Sequence, residues 1–334
     1  MKTDIHQHLW TEPLVEALAR RRELPFVRDE QGLTVLFGAG ERPYVIDLDG
    51  ETSARRAELV QRDGLDRALV CLSSPLGIEP LPRQAASELI DAYLDGALAL
   101  DDRFGVWAPL ALSGVDPNDV DSALERGCVG ISLPAGALGS IDSLALLAPA
   151  LARVQSRGAP LFVHPGPGNR LPVSEASLGD PLWWPALTRY VAEMQAAWLV
   201  WVTAARRLFP ELRVVFAMLA GLAPLHTERL RSRGGPATRK IDPLVFYDTS
   251  SYGPQAVGLM ERAVGVDQLV YGSDRPVVDP GSQEVRDRLD WRLFSENAAR
   301  VFAHGVERGS PPPRIARPTR ARPKRIAVLE RAAL

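Results

Sequence analysis

The sequence predicts an α/β fold: a (β/α)8 TIM-type barrel with a small β-hairpin inserted after strand one. Three observations predict it. Short apolar runs alternate with segments of helical period along most of the chain. Continuous apolar strands separated by helices call for a parallel sheet covered on both faces. There are eight such strands, the number that closes a barrel, and the ligand-type side chains fall at or just past their C-terminal ends, where barrel sites are built.

Strand one is Thr3–Leu9. Residues i and i+2 of a strand point to the same side, so His6 and His8 share a face. Residues 33–48 follow as two alternating runs around a Gly-rich turn, which reads as the inserted hairpin. The remaining strands are Arg67–Ser73, Gly105–Pro109, Val129–Leu133, Pro160–His164, Arg213–Met218, Leu244–Asp248 and Gln268–Gly272. Helical segments lie at Glu51–Asp63, Arg83–Asp102, Asn118–Glu125, Ser143–Arg157, Pro185–Phe209, Gln255–Val264 and Gln283–Ala303. The barrel thus occupies residues 1–306 as one domain. Residues 307–334 form a Pro-rich tail with six basic residues between Arg314 and Arg325, expected to be flexible.

Composition narrows the function. The chain has 334 residues, 46% hydrophobic and 24% charged, which suits a soluble globule with a sizeable core. A net charge of −2 gives no reason to expect nucleic acid as a partner. Six of the 39 basic residues lie between Arg314 and Arg325, and without those six charges the chain is left at −8. No run of eighteen apolar residues occurs; the nearest, around Gln195–Ala205, is closed by Arg206 and Arg207, so no membrane span is expected. Strand one begins too early for a leader to precede it, and Cys71 and Cys128 both sit in apolar stretches as buried thiols. Both points predict a cytoplasmic protein. The helix at 185–209 carries Leu199, Val200 and Val202 beyond one apolar face, which predicts a homodimer.

The chemistry is concentrated at three strand ends. Strand five ends Leu161-Phe-Val-His164-Pro-Gly, and strand eight runs into Tyr271-Gly-Ser-Asp274-Arg-Pro. Three imidazoles and one carboxylate suit a divalent first-row metal, zinc or alternatively manganese. Such an ion lowers the pKa of a bound water. Asp274 could ligate the metal, accept the proton of that water, or do both.

These motifs, with the closing Glu296-Asn-Ala-Ala-Arg-Val-Phe302, resemble the amidohydrolase superfamily, in the branch that includes aminocarboxymuconate-semialdehyde decarboxylase. The resemblance runs almost end to end and implies a metal-dependent hydrolase fold with one divalent metal held by His6, His8, His164 and Asp274. It also implies hydrolysis of C–O or C–N bonds, hydration, or non-oxidative decarboxylation of small acidic substrates. Two positions depart from the branch. Its strand-six pattern His-x-Gly-Gly-x-x-Pro reads here Met218-Leu-Ala-Gly221-Leu-Ala-Pro224, so a methionine holds the place of the usual catalytic histidine. A thioether exchanges no proton. Strand four has Ile131-Ser132-Leu133 where some relatives carry a lysine, so no second metal is expected.

Substrate-facing groups are Arg275 and Arg170, either able to pair a carboxylate, Met218 on the pocket floor, and the Trp183–Trp184 pair as an aromatic wall. His226 could swing into the gap left at 218, although a helix-start histidine facing solvent is the commoner case; His304 is expected to be structural or exposed. The reading that follows is a mononuclear metal-dependent hydrolase acting on a C–O or C–N bond of a small acidic substrate. A metal-independent lactonase, a non-oxidative decarboxylase and a catalytically lapsed small-molecule-binding barrel remain as alternatives.

Overall fold

The computed structural model describes residues 1–39, 41–168, 181, 183–236, 241–278 and 289–303. Arg170, His304, the tail at 307–334 and the start of the expected helix at 283–303 lie outside them.

Eight parallel strands stand side by side in chain order and form the barrel wall: β1 (Thr3–Gln7), β5 (Arg67–Val70), β6 (Phe104–Pro109), β7 (Gly130–Pro134), β8 (Leu161–His164), β9 (Val214–Phe216), β10 (Val245–Asp248) and β11 (Leu269–Val270). The wall closes where β1 meets the chain beyond β11. The N–H of Ile5 donates to Tyr271 O at 3.0 Å, that of Asp274 to His6 O at 2.9 Å, and that of His8 to Arg275 O at 2.7 Å. Gln7 and Arg275 bridge in parallel. The chain is therefore a (β/α)8 barrel. Every residue of β1, β6, β7, β8, β9, β10 and β11 is buried, as the apolar runs predict. Inside the wall Trp107 stacks on Phe162 with ring centroids 5.2 Å apart, and its indole N–H donates to Ile5 O at 3.0 Å.

Helices cover the wall: α2 (Ser53–Arg62), α3 (Arg83–Leu98), α4 (Pro117–Glu125), α5 (Ile141–Ser156), α7 (Arg189–Val200), α10 (Pro254–Val264) and α11 (Glu296–Phe302). Short helices α6 (Trp184–Leu187), α8 (Arg206–Leu208) and α9 (Thr227–Ser232) complete the set. No described helix is long and apolar enough to cross a membrane.

Four features differ from the sequence expectation. A helix, α1 (Glu12–Ala19), precedes the insertion; it is short, and Pro at its start fixes its first turn. The expected hairpin is present as β3 (Leu33–Phe37) and β4 (Tyr44–Ile46), and a third antiparallel strand, β2 (Phe26–Glu30), adds to its β3 side. The expected helix at 185–209 is broken into α6, α7, a π-helical turn at Trp201–Ala205 and α8. Finally, strand six stops at Phe216. Met218, Leu219, Ala220, Gly221 and Leu222 all take positive φ, between 49° and 61°, making a left-handed turn. Four of these five residues carry a Cβ, which opposes that conformation by roughly 1–2 kcal/mol per residue. Neighbours hold the turn in place: Gln195 of α7 donates to Gly221 O at 2.8 Å, and Asp248 accepts the N–H of Met218.

Candidate metal centre

His6, His8 and His164 converge at the C-terminal mouth of the barrel. Their rings lie edge to face, with centroids 4.9–5.0 Å apart in each pair. All three are buried. Each ring is oriented through Nδ1. That of His6 donates to Asp248 Oδ2 at 2.7 Å, that of His8 to Cys71 O at 3.0 Å, and that of His164 to Pro165 O at 2.7 Å. These partners fix the tautomer that leaves Nε2 as a lone pair, the arrangement metal-binding histidines require.

The Nε2 atoms of His6 and His8 face each other at 3.3 Å. Asp274 Oδ1 stands 3.0 Å from the second and 3.5 Å from the first. With both rings unprotonated at Nε2, this buried oxygen receives no hydrogen bond from the described residues. Acceptors crowded together in this way repel one another unless a cation sits among them. The donor set of nitrogens and a carboxylate oxygen fits a divalent first-row ion. Cys71 joins the cluster: donor atoms of His6, His8, Cys71 and His164 all lie within 4.8 Å of one another.

Without an ion, protons carry the balance. Burial acts to lower the His6 imidazole, but Asp248 and Asp274 outweigh it and hold it well above its ordinary range. Burial likewise acts against His8, which Cys71 and Asp274 raise to about 9. Burial, reinforced by His8 and His6, holds His164 well below its usual range, so it is neutral. Burial would raise the Asp274 carboxyl, yet the imidazoles of His6 and His8 bring it down to about 2. A divalent ion would displace the protons on the imidazoles.

The surrounding chain builds this geometry. Asp274 has φ 59°, a left-handed conformation that Asp tolerates better than most residues, and its second oxygen accepts from Ser251 Oγ at 3.3 Å. One carboxylate, Asp4, accepts the N–H groups of His6 and Ser273 and the side-chain amide of Gln7. It thereby ties β1 to the segment that carries Asp274. Gln7 in turn accepts from the buried Arg56, whose partner is Glu51 at 2.9 Å. Gly272 is required by close approach: a Cβ there would lie 2.9 Å from the Asp248 carboxylate and from His6 Cβ.

The structure places the other expected site residues as follows. The Arg275 guanidinium pairs with Asp63, at the C-terminal end of α2, at 2.7 Å, so it turns into the helix layer, away from the imidazoles. Met218 is buried, with its N–H donating to Asp248 Oδ1 at 3.0 Å. Trp183 and Trp184 are exposed, with ring centroids 5.7 Å apart. His226 is exposed ahead of α9, and the structure does not bring it to the gap at 218. Sequence reasoning missed Asp248, Ser250 and the place of Cys71 beside the imidazoles. A carboxylate closing the seventh apolar strand was the available signal for Asp248.

The amidohydrolase family model matches residues 3–303. The chain belongs to the amidohydrolase family. Like its family, it is an enzyme. No curated protein matches it in sequence. Solved structures share the fold of this amidohydrolase at low identity. One is apo IDCase from Metarhizium anisopliae, with TM-score 0.73 and 18% identity over 90% of this chain and 97% of that one. Another is 5-carboxyvanillate decarboxylase from Sphingomonas paucimobilis, with TM-score 0.68 and 16% identity over 90% and 98%. A third is a dihydroxybenzoic acid decarboxylase from Polaromonas sp. with bound manganese and 2-nitroresorcinol, with TM-score 0.61 and 16% identity over 90% and 96%.

Proposed function

We propose that this amidohydrolase is a lyase that uses one divalent metal to remove a carboxylate, without oxidation, from a small hydroxylated aromatic acid. This replaces hydrolysis as the leading reading. The observation that carries it is Asp274, a buried carboxylate with one oxygen set 3.0 Å from His8 Nε2 and 3.5 Å from His6 Nε2. The naming of two structural neighbours as decarboxylases of hydroxylated benzoic acids supports the same reaction class.

Decarboxylation replaces a C–COO⁻ bond by C–H, so the ring carbon must gain a proton. Asp274 delivers it, having taken it from the substrate's hydroxyl. When the C–C bond breaks, its electron pair restores the aromatic ring and carbon dioxide leaves. His6, His8, His164 and Asp274 would hold the ion. When bound, the ion supplies Lewis-acid stabilisation of the substrate's oxygens. The methionine at 218 does not count against this reaction, because the proton travels through Asp274. Burial of the whole cluster keeps bulk water from the reacting carbon.

The test is carbon dioxide release from a panel of dihydroxybenzoates and 5-carboxyvanillate, run beside lactone, ester and amide panels, before and after chelation. Release from at least one hydroxybenzoate, abolished by chelator and restored by zinc or manganese, is the expected result. Turnover confined to the lactone, ester or amide panels would overturn the proposal.

A further inference from the structure

We infer that Gln7 and the buried Arg56 form a positioning pair that holds Asp274 in its strained pose, and that this pair, without touching the ion, sets the affinity of the metal centre. The inference rests on the one-metal reading above. Asp274 has φ 59°, a conformation that a residue other than glycine keeps only when its surroundings over-determine it. Both of its chain neighbours are held from the β1 segment. The N–H of Ser273 donates to Asp4 Oδ1 at 3.0 Å, and the carbonyl of Arg275 accepts from the N–H of His8 at 2.7 Å. Gln7 stands between these two anchors. Its Nε2 donates to Asp4 Oδ2 at 2.8 Å, and its Oε1 accepts from Arg56 Nη2 at 2.7 Å. The same Nη2 lies 3.5 Å from Arg275 O. The amide uses both of its polar atoms: its oxygen faces a guanidinium that only donates, and its nitrogen faces a carboxylate that accepts.

Arg56 comes to the seam from outside the barrel. It lies on α2, 1% exposed, with Nη1 on Glu51 Oε2 at 2.9 Å. Asp63, at the C-terminal end of the same helix, takes the Arg275 guanidinium at 2.7 Å. Helix α2 therefore reaches both the main chain and the side chain of the residue next to Asp274. A buried guanidinium is costly, and apolar side chains of similar volume often pack such a layer as well or better. Its Nε has no partner among the described residues, so hydrogen bonding of the group is incomplete even here. What the charge does is fix the Gln7 amide. Loss of the pair frees that amide to rotate and leaves Asp4 Oδ2 without its donor. Asp274 can then relax toward negative φ, and its Oδ1 leaves the place 3.0 Å from His8 Nε2 where it would share the ion.

The experiment is a double-mutant cycle on zinc affinity in the full chain, read by competition against a chromophoric chelator. Arg56→Met is expected to lower the affinity about 10–100-fold. In an Asp274→Ala background the same change is expected to alter it by less than about twofold, because the group through which Arg56 acts is gone. Cobalt gives a second reading. At saturation the visible spectrum of Arg56→Met should move toward that of Asp274→Ala, a change in coordination that a loss of stability alone does not produce. Should Arg56→Met not fold, Gln7→Met breaks the same link from the β1 side and runs through the same cycle. An equal loss in both backgrounds, or wild-type affinity in Arg56→Met, would overturn the inference and leave the one-metal reading standing. Failure of wild type to bind either zinc or cobalt would overturn both.

Discussion

Asp248 accepts the backbone N–H of Met218 at 3.0 Å, while its other oxygen takes the Nδ1 proton of His6 at 2.7 Å. One carboxylate thus orients a ring of the candidate metal centre and pins the left-handed turn at the position where the family pattern has its histidine. The contact to residue 218 runs through the main chain, so it survives a change of side chain there.

Asp248→Asn removes the charged acceptor of His6 Nδ1. Partners of this kind are worth roughly 10–100-fold in metal affinity. Competition against a chromophoric chelator should show a loss in that range, with an unchanged far-ultraviolet spectrum. Wild-type affinity would mean that something other than Asp248 orients His6.

Met218→His should fold normally and hold one equivalent of metal, because histidine is among the side chains that accept positive φ and the contact to Asp248 is made by the backbone. The turnover number is expected to change, since the apolar wall becomes a proton carrier. If metal content and rate are both untouched, residue 218 does not line the site.

Asp274→Asn removes the proposed proton carrier. A general acid contributes about 10²–10⁴-fold, and the decarboxylation rate should fall by at least that much while the barrel stays folded by circular dichroism. Full activity in this variant would route the proton elsewhere.

Gly272→Ala places a methyl group 2.9 Å from His6 Cβ and from the Asp248 carboxylate. His6 Cβ moves only with its strand, so both that strand and the Asp248 carboxylate must shift to admit it. Overpacking of this kind costs about 1–3 kcal/mol, readable as a lowered urea midpoint. A wild-type midpoint together with wild-type metal affinity would show that the packing is looser than these distances.

Glu79 gives a pH-dependent test. It is fully buried; its Oε1 accepts from Ser74 Oγ at 2.5 Å and its Oε2 has no partner among the described residues. Burial holds its carboxyl at about 7 against an ordinary 4.5. Between those values the folded chain keeps a proton that the unfolded chain releases. The stability this contributes is complete below pH 4.5 and is lost as pH rises through 7, by roughly 3 kcal/mol at most. Glu79→Gln mimics the protonated form, so its stability should match wild type near pH 4 and exceed it at pH 8. A pH-independent difference in urea denaturation would contradict this.

Most of the wall could be read from the chain because its strands are buried on both faces. Continuous runs such as Leu161-Phe-Val-His164 leave little choice of period, and the ends fall within a few residues of expectation. His6, His8, His164 and Asp274 were legible for the same reason: polar groups ending apolar runs. Phe26–Glu30 was not, because Val27 is its one fully buried residue and its charged end looks like a loop. The early end of strand six was hidden too, since Met-Leu-Ala carries no mark of a left-handed turn. Asp248 meets His6 across 242 residues of sequence, and only closure of the barrel makes that pair. Cys71, flanked by Val70 and Leu72, gave no local sign that its sulfur faces imidazoles.

The seam between β1 and the chain beyond β11 has a consequence for biosynthesis. Of the barrel strands β1 leaves the ribosome first, and the residues that cover its open flank, Tyr271 to Arg275, arrive more than 260 residues later. Until then β1 is an edge with its hydrogen-bonding groups unpaired on that side. His6 and His8 meanwhile lack the carboxylate that would share the proposed ion with them. A nascent chain released before Asp274 therefore holds the imidazoles but not the completed centre. On the proposed ligand set, capture of the ion with full affinity marks the moment at which the last strand has locked onto the first.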